Sequence, residues 1–257
     1  MFEDLNENRP LLRLRLAKLL LWGGVIALLM IIAPGPGYRM EWLDLQAAFT
    51  LLRAGGMTGI AVALLALVLL FVAFRAPRQR MRIATISSVA ILFGAIAATI
   101  PYGWQLTAQS VPPIHDITTD TQDPPAFVDI APLREDAPNP VDYPGEETAE
   151  QQREAYPDLD TLSLEADVTR VIEASAAVAE AMGWELIAVD AEEGRLEATA
   201  TTQWFGFQDD VVIRVRAADE GSELDIRSKS RVGRSDVGKN AERIRTFRDR
   251  LQMHLDG

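Results

Sequence analysis

Three long apolar stretches in the first 104 residues constrain this chain more than any other feature. They lie near residues 16–34, 55–74 and 83–102, and the second contains no charged residue. Because a helix needs roughly 20 apolar residues to cross about 30 Å of hydrocarbon, each stretch predicts a transmembrane helix. No acidic, basic or His residue lies within the predicted hydrocarbon core, which disfavours a transporter or pump.

Basic residues in the flanking segments predict the orientation of these helices. The segment before the first helix carries Arg9, Arg13, Arg15 and Lys18. The loop between the second and third helices carries Arg75, Arg78, Arg80 and Arg82. We therefore expect a multi-pass protein of the bacterial inner (plasma) membrane with a cytoplasmic N-terminus. The part after the third helix is then extracytoplasmic, which is the periplasm in a Gram-negative bacterium.

The segment Ala33-Pro34-Gly35-Pro36-Gly37 follows the first apolar stretch and predicts the end of its helix. It lacks the small-residue pattern of a signal-peptide cleavage site. We therefore expect the first helix to be retained as a membrane anchor.

Charge divides the chain into a predicted membrane domain, residues 1–104, and an extracytoplasmic domain, residues 105–257. The first carries 10 Lys and Arg against 5 Asp and Glu, and the second carries 15 against 32. Nucleic-acid binding needs a basic surface, so we expect no nucleic acid as a partner. The chain has no Cys and two His, which excludes disulfides and disfavours a metal site, and we expect no cofactor.

Residues 105–162 form a Pro-rich segment that contains nine of the fourteen prolines. Each X-Pro step disfavours helix at the preceding residue. Apolar residues still recur within the segment, which is unusual for disorder. We predict that it wraps the following domain in extended stretches, and that residues 135–154 are its most mobile part.

Hydrophobic periodicity from residue 163 to 257 predicts a helix, four strands and a final helix. Ser163 is the predicted cap of the first helix. The strands are expected at 184–190, 195–204, 210–217 and 223–231, and the final helix at 236–255. Alternating polar and apolar residues indicate an antiparallel sheet with one covered and one solvent-exposed face. The predicted fold class is a three-helix transmembrane anchor followed by a two-layer α+β domain with the order α-β-β-β-β-α.

The segment from Gly233 to Asn240 resembles a phosphate-binding loop, because it matches G-x-x-x-x-G-K. However, Asn240 replaces the Ser or Thr that would hold magnesium, and Asp236 would face the phosphates. We therefore expect no nucleotide. The segment is interpreted as a strand-to-helix turn in which Ser235 or Asp236 caps the helix.

An acidic segment begins at His115 and contains Asp116, Asp120 and Asp123. A His–Asp pair can act in acid–base catalysis, and clustered carboxylates can bind calcium. The spacing does not match a calcium-binding loop, and we expect no metal. The alternative is that these aspartates cap turns.

Three aromatic residues, Trp204, Phe205 and Phe207, fall at the predicted turn between the second and third strands. If they are exposed, they could enter the membrane interface or bind a ligand. Packing in the core around Gly206 explains them equally well.

Three segments, HDITTDTQDPPAF, FGFQDDVVIRV and SKSRVGRSDVGKNAERI, together resemble the bacterial family called domain of unknown function 1499. The resemblance covers residues 105–255. It implies no established activity. It does imply that a set of polar residues belongs to the family pattern: His115, Asp116, Asp120, Asp123, Asp210, Arg231, Ser235, Asp236, Gly238, Asn240 and Arg243.

We expect a binding module rather than an enzyme, with the lipid bilayer and an envelope protein, lipid or small ligand as partners. One alternative is a periplasmic-side hydrolase that uses His115 and a neighbouring Asp. Another is a structural subunit of an envelope complex, whose second and third helices contact partner helices through small residues such as Gly94. The candidate binding residues are His115, Asp116, Asp120, Asp123, Trp204, Phe205, Phe207, Asp210, Arg231, Ser235, Asp236, Asn240 and Arg243.

Overall fold

The computed structural model of the chain describes residues 2–74 and 79–256, with side chains from residue 11 onward. The chain forms two compact units, Met1–Leu106 and Thr107–Gly257. Two arginines of the predicted basic loop, Arg75 and Arg78, lie outside the described residues, as does the side chain of Arg9.

The apolar stretches form long helices in the first unit, as predicted. These are α1 (Phe2–Ile32), which α2 (Pro34–Arg39) extends, α3 (Leu45–Ala73) and α4 (Arg80–Ser110). The three candidate spans have mean hydropathies of 2.3, 2.6 and 2.2 and are long enough to cross a membrane. The chain therefore has the helices of a three-span membrane protein.

The first helix ends at Ile32, next to the predicted stop at residues 33–37, but α2 follows it directly. Ala33 keeps helical backbone angles, and the Gly37 amide donates to the Ala33 carbonyl at 2.8 Å. Pro34 takes the first position of α2, where a helix does not need an amide donor. The chain leaves the helix only after Arg39. Asp44 then caps α3 by accepting from the Ala47 amide at 2.7 Å.

Two glycines bring α3 and α4 into close contact. A Cβ added to Gly59 would lie 2.6 Å from the Gly94 carbonyl oxygen, and one added to Gly94 would lie 2.5 Å from the Gly59 carbonyl oxygen. Small residues permit such an approach of two helix backbones. Gly94 therefore contacts α3 of the same chain, and it does not lie on the surface that was expected to contact partner helices.

The second unit is an α+β domain that matches the predicted fold class. It contains β1 (Asp116–Thr118), α5 (Glu146–Ala155), β2 (Leu162–Leu164), α6 (Val168–Ala181), β3 (Glu185–Asp190), β4 (Arg195–Thr201), β5 (Gln208–Ala217), β6 (Ser222–Ser230) and α7 (Lys239–Asp256). The antiparallel sheet has the order β1-β6-β5-β4-β3, and β2 also pairs with β6. The four predicted strands are confirmed, whereas β1 and β2 were not predicted, because three residues are too few to show a periodicity.

Helices α6 and α7 cover one face of the sheet and form the main core with it. Trp184, just before β3, stacks on Phe247 of α7 with ring centroids 5.4 Å apart. The cap predicted for α6 is wrong. Ser163 lies in β2, and Asp167 caps the helix by accepting from the Arg170 amide at 2.9 Å.

The Pro-rich segment lies on the other face of the sheet. Phe127 and Ile130 pack there against Val212 of β5. The Glu197 carboxylate of β4 accepts from the amides of Val128 and Ile130, both at 2.7 Å. The prediction that this face is exposed to solvent is therefore wrong, because a segment distant in sequence covers it.

Residues 135–154, which were predicted to be the most mobile part of this segment, instead contain most of α5. Its Gln152 side chain is buried and forms hydrogen bonds with the β1 backbone in the way that a neighbouring strand would. It accepts from the Thr118 amide at 2.9 Å and donates to the Thr118 carbonyl at 2.6 Å. The outer edge of β1 is thus closed by a side chain of α5.

Candidate functional site

Twelve of the thirteen candidate site residues lie in three places, and the thirteenth, half-buried His115, directly precedes β1 and accepts from the Asn240 side chain with its backbone carbonyl at 3.0 Å. Asp116, Asp210 and Arg231 lie on or beside the covered polar face of the sheet, and Asp120 and Asp123 lie at its rim. Ser235, Asp236, Asn240 and Arg243 surround the beginning of α7. The three aromatic residues form the turn between β4 and β5. Each place is built by different elements of the domain.

Strand register brings the charged residues of the covered face together. In β6, Lys229 lies opposite Asp116 of β1 on one side and opposite Asp210 of β5 on the other. Directly opposed residues of antiparallel strands carry their side chains on the same face. The sheet therefore collects residues that are about 110 positions apart in sequence into one small region.

Asp116 is the centre of the first ion-pair group. Its carboxylate accepts from Arg227 Nε and Nη2 at 2.9 and 2.8 Å, and from Lys229 Nζ at 2.7 Å. All three side chains are buried. Arg227 also donates to the Pro125 and Val141 carbonyls, so the Pro-rich segment helps to hold it.

Asp210 is the centre of the second ion-pair group. Its carboxylate accepts from Arg231 Nε and Nη2 at 2.9 and 2.8 Å, and from the Thr199 hydroxyl at 2.8 Å. Arg134, which ends a short 3-10 turn in the Pro-rich segment, places Nη1 at 3.1 Å from Asp210 Oδ2. The two ion-pair groups form a buried polar cluster: Asp116, Arg134, Asp210, Arg227, Lys229 and Arg231.

Sequence reasoning missed three members of this cluster. Arg227 continues the alternation of Asp225 with Leu224 and Ile226 in β6, and Lys229 lies between two serines, so the pattern by itself indicates a solvent-exposed strand face. The sequence around Arg134 shows no periodicity or motif that would identify it. The unused signal was Phe127, whose ring lies 5.0 Å from the Arg227 guanidinium and 5.6 Å from that of Arg134. An aromatic residue in a Pro-rich segment is a candidate cover for cationic side chains.

Burial shifts the pKa values of groups in and beside the cluster. It lowers the pKa of half-buried His115, an effect that the nearby charge of Lys229 reinforces. It also lowers the pKa of Lys229, although Asp116 acts in the opposite direction. Burial and the charge of Asp116 raise the pKa of Tyr143 to about 12. Each shift disfavours the charged form in a region that excludes water.

Asp120 and Asp123 form ion pairs with arginines at the rim of the same face. Arg214 reaches Asp120 at 3.2 Å and Asp123 at 2.9 Å, and it also contacts buried Asp225 at 3.0 Å. Asp120 additionally caps its own turn by accepting from the Asp123 amide. Within the described ranges, no three His, Asp or Glu residues are grouped in a way that could hold a metal ion.

The beginning of α7 is capped as predicted. The Asp236 carboxylate accepts from the Gly238 amide at 2.9 Å and from the Asn240 amide at 2.7 Å. These are amides that a phosphate-binding loop would offer to a nucleotide, and here an internal carboxylate occupies them. Arg243, one turn later, reaches Asp209 at 2.5 Å.

The rings of the aromatic turn pack on one another. The Phe205 ring stacks on Phe207 with centroids 4.8 Å apart, and Trp204 meets Phe205 edge-on at 5.0 Å. Phe205 is buried, whereas Trp204 and Phe207 are half-buried. Thr202 holds the turn closed, since its hydroxyl accepts from the Phe207 amide at 2.8 Å. The turn therefore has a packed centre and two partly accessible rings.

These arrangements hold Asp116 and Asp210 in ion pairs and place Asp236 as a helix cap. No curated protein matches the sequence. A family model described as "Protein of unknown function (DUF1499)" matches residues 116–251, from the first residue of β1 into α7. The match covers both ion-pair groups, the aromatic turn and the α7 cap. The chain therefore belongs to the DUF1499 family.

Proposed function

We propose that this chain is a membrane-anchored binding module of the bacterial inner membrane, whose α+β domain holds a ligand, a lipid or an envelope protein on the extracytoplasmic side. The observation that carries a binding role is that the Asp116 carboxylate is already paired with cationic side chains. This carboxylate, the natural partner of His115 in a hydrolase, is held by Arg227 and Lys229. Because Arg227 and Lys229 occupy this carboxylate, it is not available to orient the His115 imidazole, which disfavours the alternative hydrolase.

The packing of the domain supports the same proposal. The sheet is covered on both faces, and the charged side chains of the buried polar cluster make several contacts each, which favours a rigid domain. Trp204 and Phe207 remain partly accessible on this support. Aromatic side chains on a rigid scaffold lose little conformational entropy on binding, which suits a recognition surface.

Native mass spectrometry of the full chain, extracted from membranes in mild detergent, tests the binding role. We expect a bound mass that disappears on denaturation. The double variant Trp204→Ala, Phe207→Ala reports whether the aromatic turn holds that mass. A spectrum that contains only the bare chain with detergent or bulk lipid would contradict the proposal.

The proposed orientation has support from residues at the helix ends. Arg80 and Arg82 lie at the beginning of α4, where basic residues favour the cytoplasmic side. Three exposed aromatic residues mark the other end of the helices: Trp42 between α2 and α3, and Tyr102 and Trp104 late in α4. Tyr and Trp are enriched at the membrane–water interface.

Single cysteines test this orientation, because the chain has none of its own. Thr169→Cys places a thiol on exposed α6, and Met81→Cys places one at the exposed beginning of α4. An impermeant maleimide should label the first variant in intact spheroplasts and the second only after permeabilisation. The reverse pattern would contradict the proposed topology.

A further inference from the structure

Basic side chains from two helices lie at one end of the first unit. A buried cluster joins α1, α3 and α4 there, and it consists of Ala17, Leu69, Ala73 and Ile83. This packing places the beginning of α1, the end of α3 and the beginning of α4 at the same end of the helices. We call it the basic end, because the side chains beside the cluster include Arg13, Arg15, Lys18, Arg80 and Arg82.

The basic end has an excess of positive charge. Residues 1–18 and 75–82 together carry eight basic residues against three acidic ones. In the described part of the chain, the five named cations form no ion pair with a carboxylate. The other end of the helices differs, since Arg39 and Arg53 lie in the same stretch of sequence as Glu41 and Asp44. The excess is therefore confined to one end.

The beginning of α4 adds to this positive charge. The amino end of a helix carries a partial positive charge, which acidic residues of the first turn normally offset. The first turn of α4 contains Arg80 and Arg82 and no acidic residue. The Arg80 guanidinium lies 4.9 Å from the centre of the Phe74 ring, which holds it beside the end of α3. A bound anion would therefore stabilise this helix end.

The surroundings of these cations suit an amphiphile. An open cavity of about 540 Å³ is lined by Gln79, Arg80, Met81 and Arg82 among the described residues. That volume is within the range of small-molecule sites, roughly 300–1,000 Å³. The adjoining helix surfaces carry exposed apolar side chains, which are Leu16, Leu19, Phe71 and Phe74. A ligand with an anionic head and hydrocarbon tails can contact both kinds of surface, whereas a free anion would contact the cations alone.

We propose that the basic end binds the phosphodiester headgroup of an anionic phospholipid such as phosphatidylglycerol. Arg80 and Arg82 pair with the phosphate from α4, and Arg15 and Lys18 add positive charge from α1. The acyl chains lie along the apolar helix surfaces. This site belongs to the first unit and goes beyond the binding role proposed for the α+β domain.

Native mass spectrometry of the delipidated full chain in a neutral detergent tests the inference. The chain is titrated with phosphatidylglycerol or with phosphatidylethanolamine of the same acyl chains, and we expect saturable binding that favours phosphatidylglycerol about tenfold or more. Each basic residue near an anionic lipid contributes about a fivefold factor, so Arg80→Gln with Arg82→Gln should weaken the apparent Kd for phosphatidylglycerol about thirtyfold. Arg15→Gln with Lys18→Gln should weaken it similarly.

Two controls separate charge from damage to the helices. Arg53→Gln removes an exposed arginine at the other end and should leave the Kd unchanged. Arg80→Lys with Arg82→Lys keeps the charge and should retain most of the affinity.

Equal Kd values for the two lipids in the wild type overturn the inference. An unchanged Kd for phosphatidylglycerol in either double Gln variant also overturns it, because the proposed site uses both helices. The variant Trp204→Ala, Phe207→Ala should leave this Kd unchanged, so failure of the lipid site is distinguishable from failure of the binding role proposed for the α+β domain.

Discussion

Replacing Asp116 by Asn tests whether the buried polar cluster holds the Pro-rich segment on the sheet. The change keeps the size of the side chain and removes the charge that receives three hydrogen bonds from Arg227 and Lys229. Both cations would remain buried without their carboxylate. Breaking a buried ion pair by removing one partner costs about 3–5 kcal/mol in the free energy of unfolding.

A matched control is available in the same domain. Asp158 accepts from Arg245 Nε and Nη2, both at 2.6 Å, in the same bidentate geometry, but these side chains are 52% and 41% exposed. Exposed pairs contribute about 0–1 kcal/mol. Asp158→Asn therefore changes the same chemical group and differs from Asp116→Asn mainly in burial.

Pulse proteolysis of the full chain in detergent across a urea series measures the effect. With an m-value of about 2 kcal/mol per M, Asp116→Asn should lower the urea midpoint of the α+β domain by about 1.5–2.5 M. Asp158→Asn should lower it by less than about 0.5 M. Equal shifts in the two variants would refute the argument that the cluster is buried and tightly coupled.

Three further changes follow from the same contacts. Gln152→Ala should destabilise the domain by about 1–3 kcal/mol, because the backbone of β1 loses a buried partner, whereas the half-buried neighbour Gln151→Ala should have little effect in the same urea assay. Gly94→Ala should lower the Tm of the detergent-solubilised chain, because its methyl group would overlap the backbone of α3, while Gly103→Ala in the same helix has open space and should not. Burial lowers the pKa of His115 in the folded state, so just below the ordinary pKa of 6.5 the unfolded chain binds more protons than the folded chain. The free energy of unfolding should therefore decrease as the pH is lowered through this range. His115→Gln should flatten that dependence in urea midpoints measured from pH 5 to 7.5, and an unchanged slope would contradict it.

The strands and the two main helices were predictable because their signal is local. Alternating residues in β5 and β6 and the stripe on α7 reflect burial against one layer, and the strand boundaries agree with the structure to within three residues. The cap at Asp236 was likewise predictable, because a cap involves residues within one turn of each other.

The state of the site residues was not predictable in the same way. Asp116 and Asp210 were identified, but their partners Arg227, Lys229 and Arg134 were not, because these contacts join segments far apart in sequence. An alternating charged strand looks the same in sequence whether water or a Pro-rich segment covers it. The alternating pattern therefore predicts a polar strand face correctly but does not show whether that face is exposed or buried.

By itself, the sequence determined three apolar helices, the division of charge between two parts of the chain and the strand–helix order of the second part. All of these follow from composition and short periodicities, because hydrocarbon length and side-chain alternation act locally. Only the tertiary structure decided that the Pro-rich segment covers the polar sheet face and that Gln152 closes the edge of β1. Strand register and long-range cover set those contacts, and they place a row of charged residues in a buried cluster of ion pairs instead of on a solvent-exposed surface.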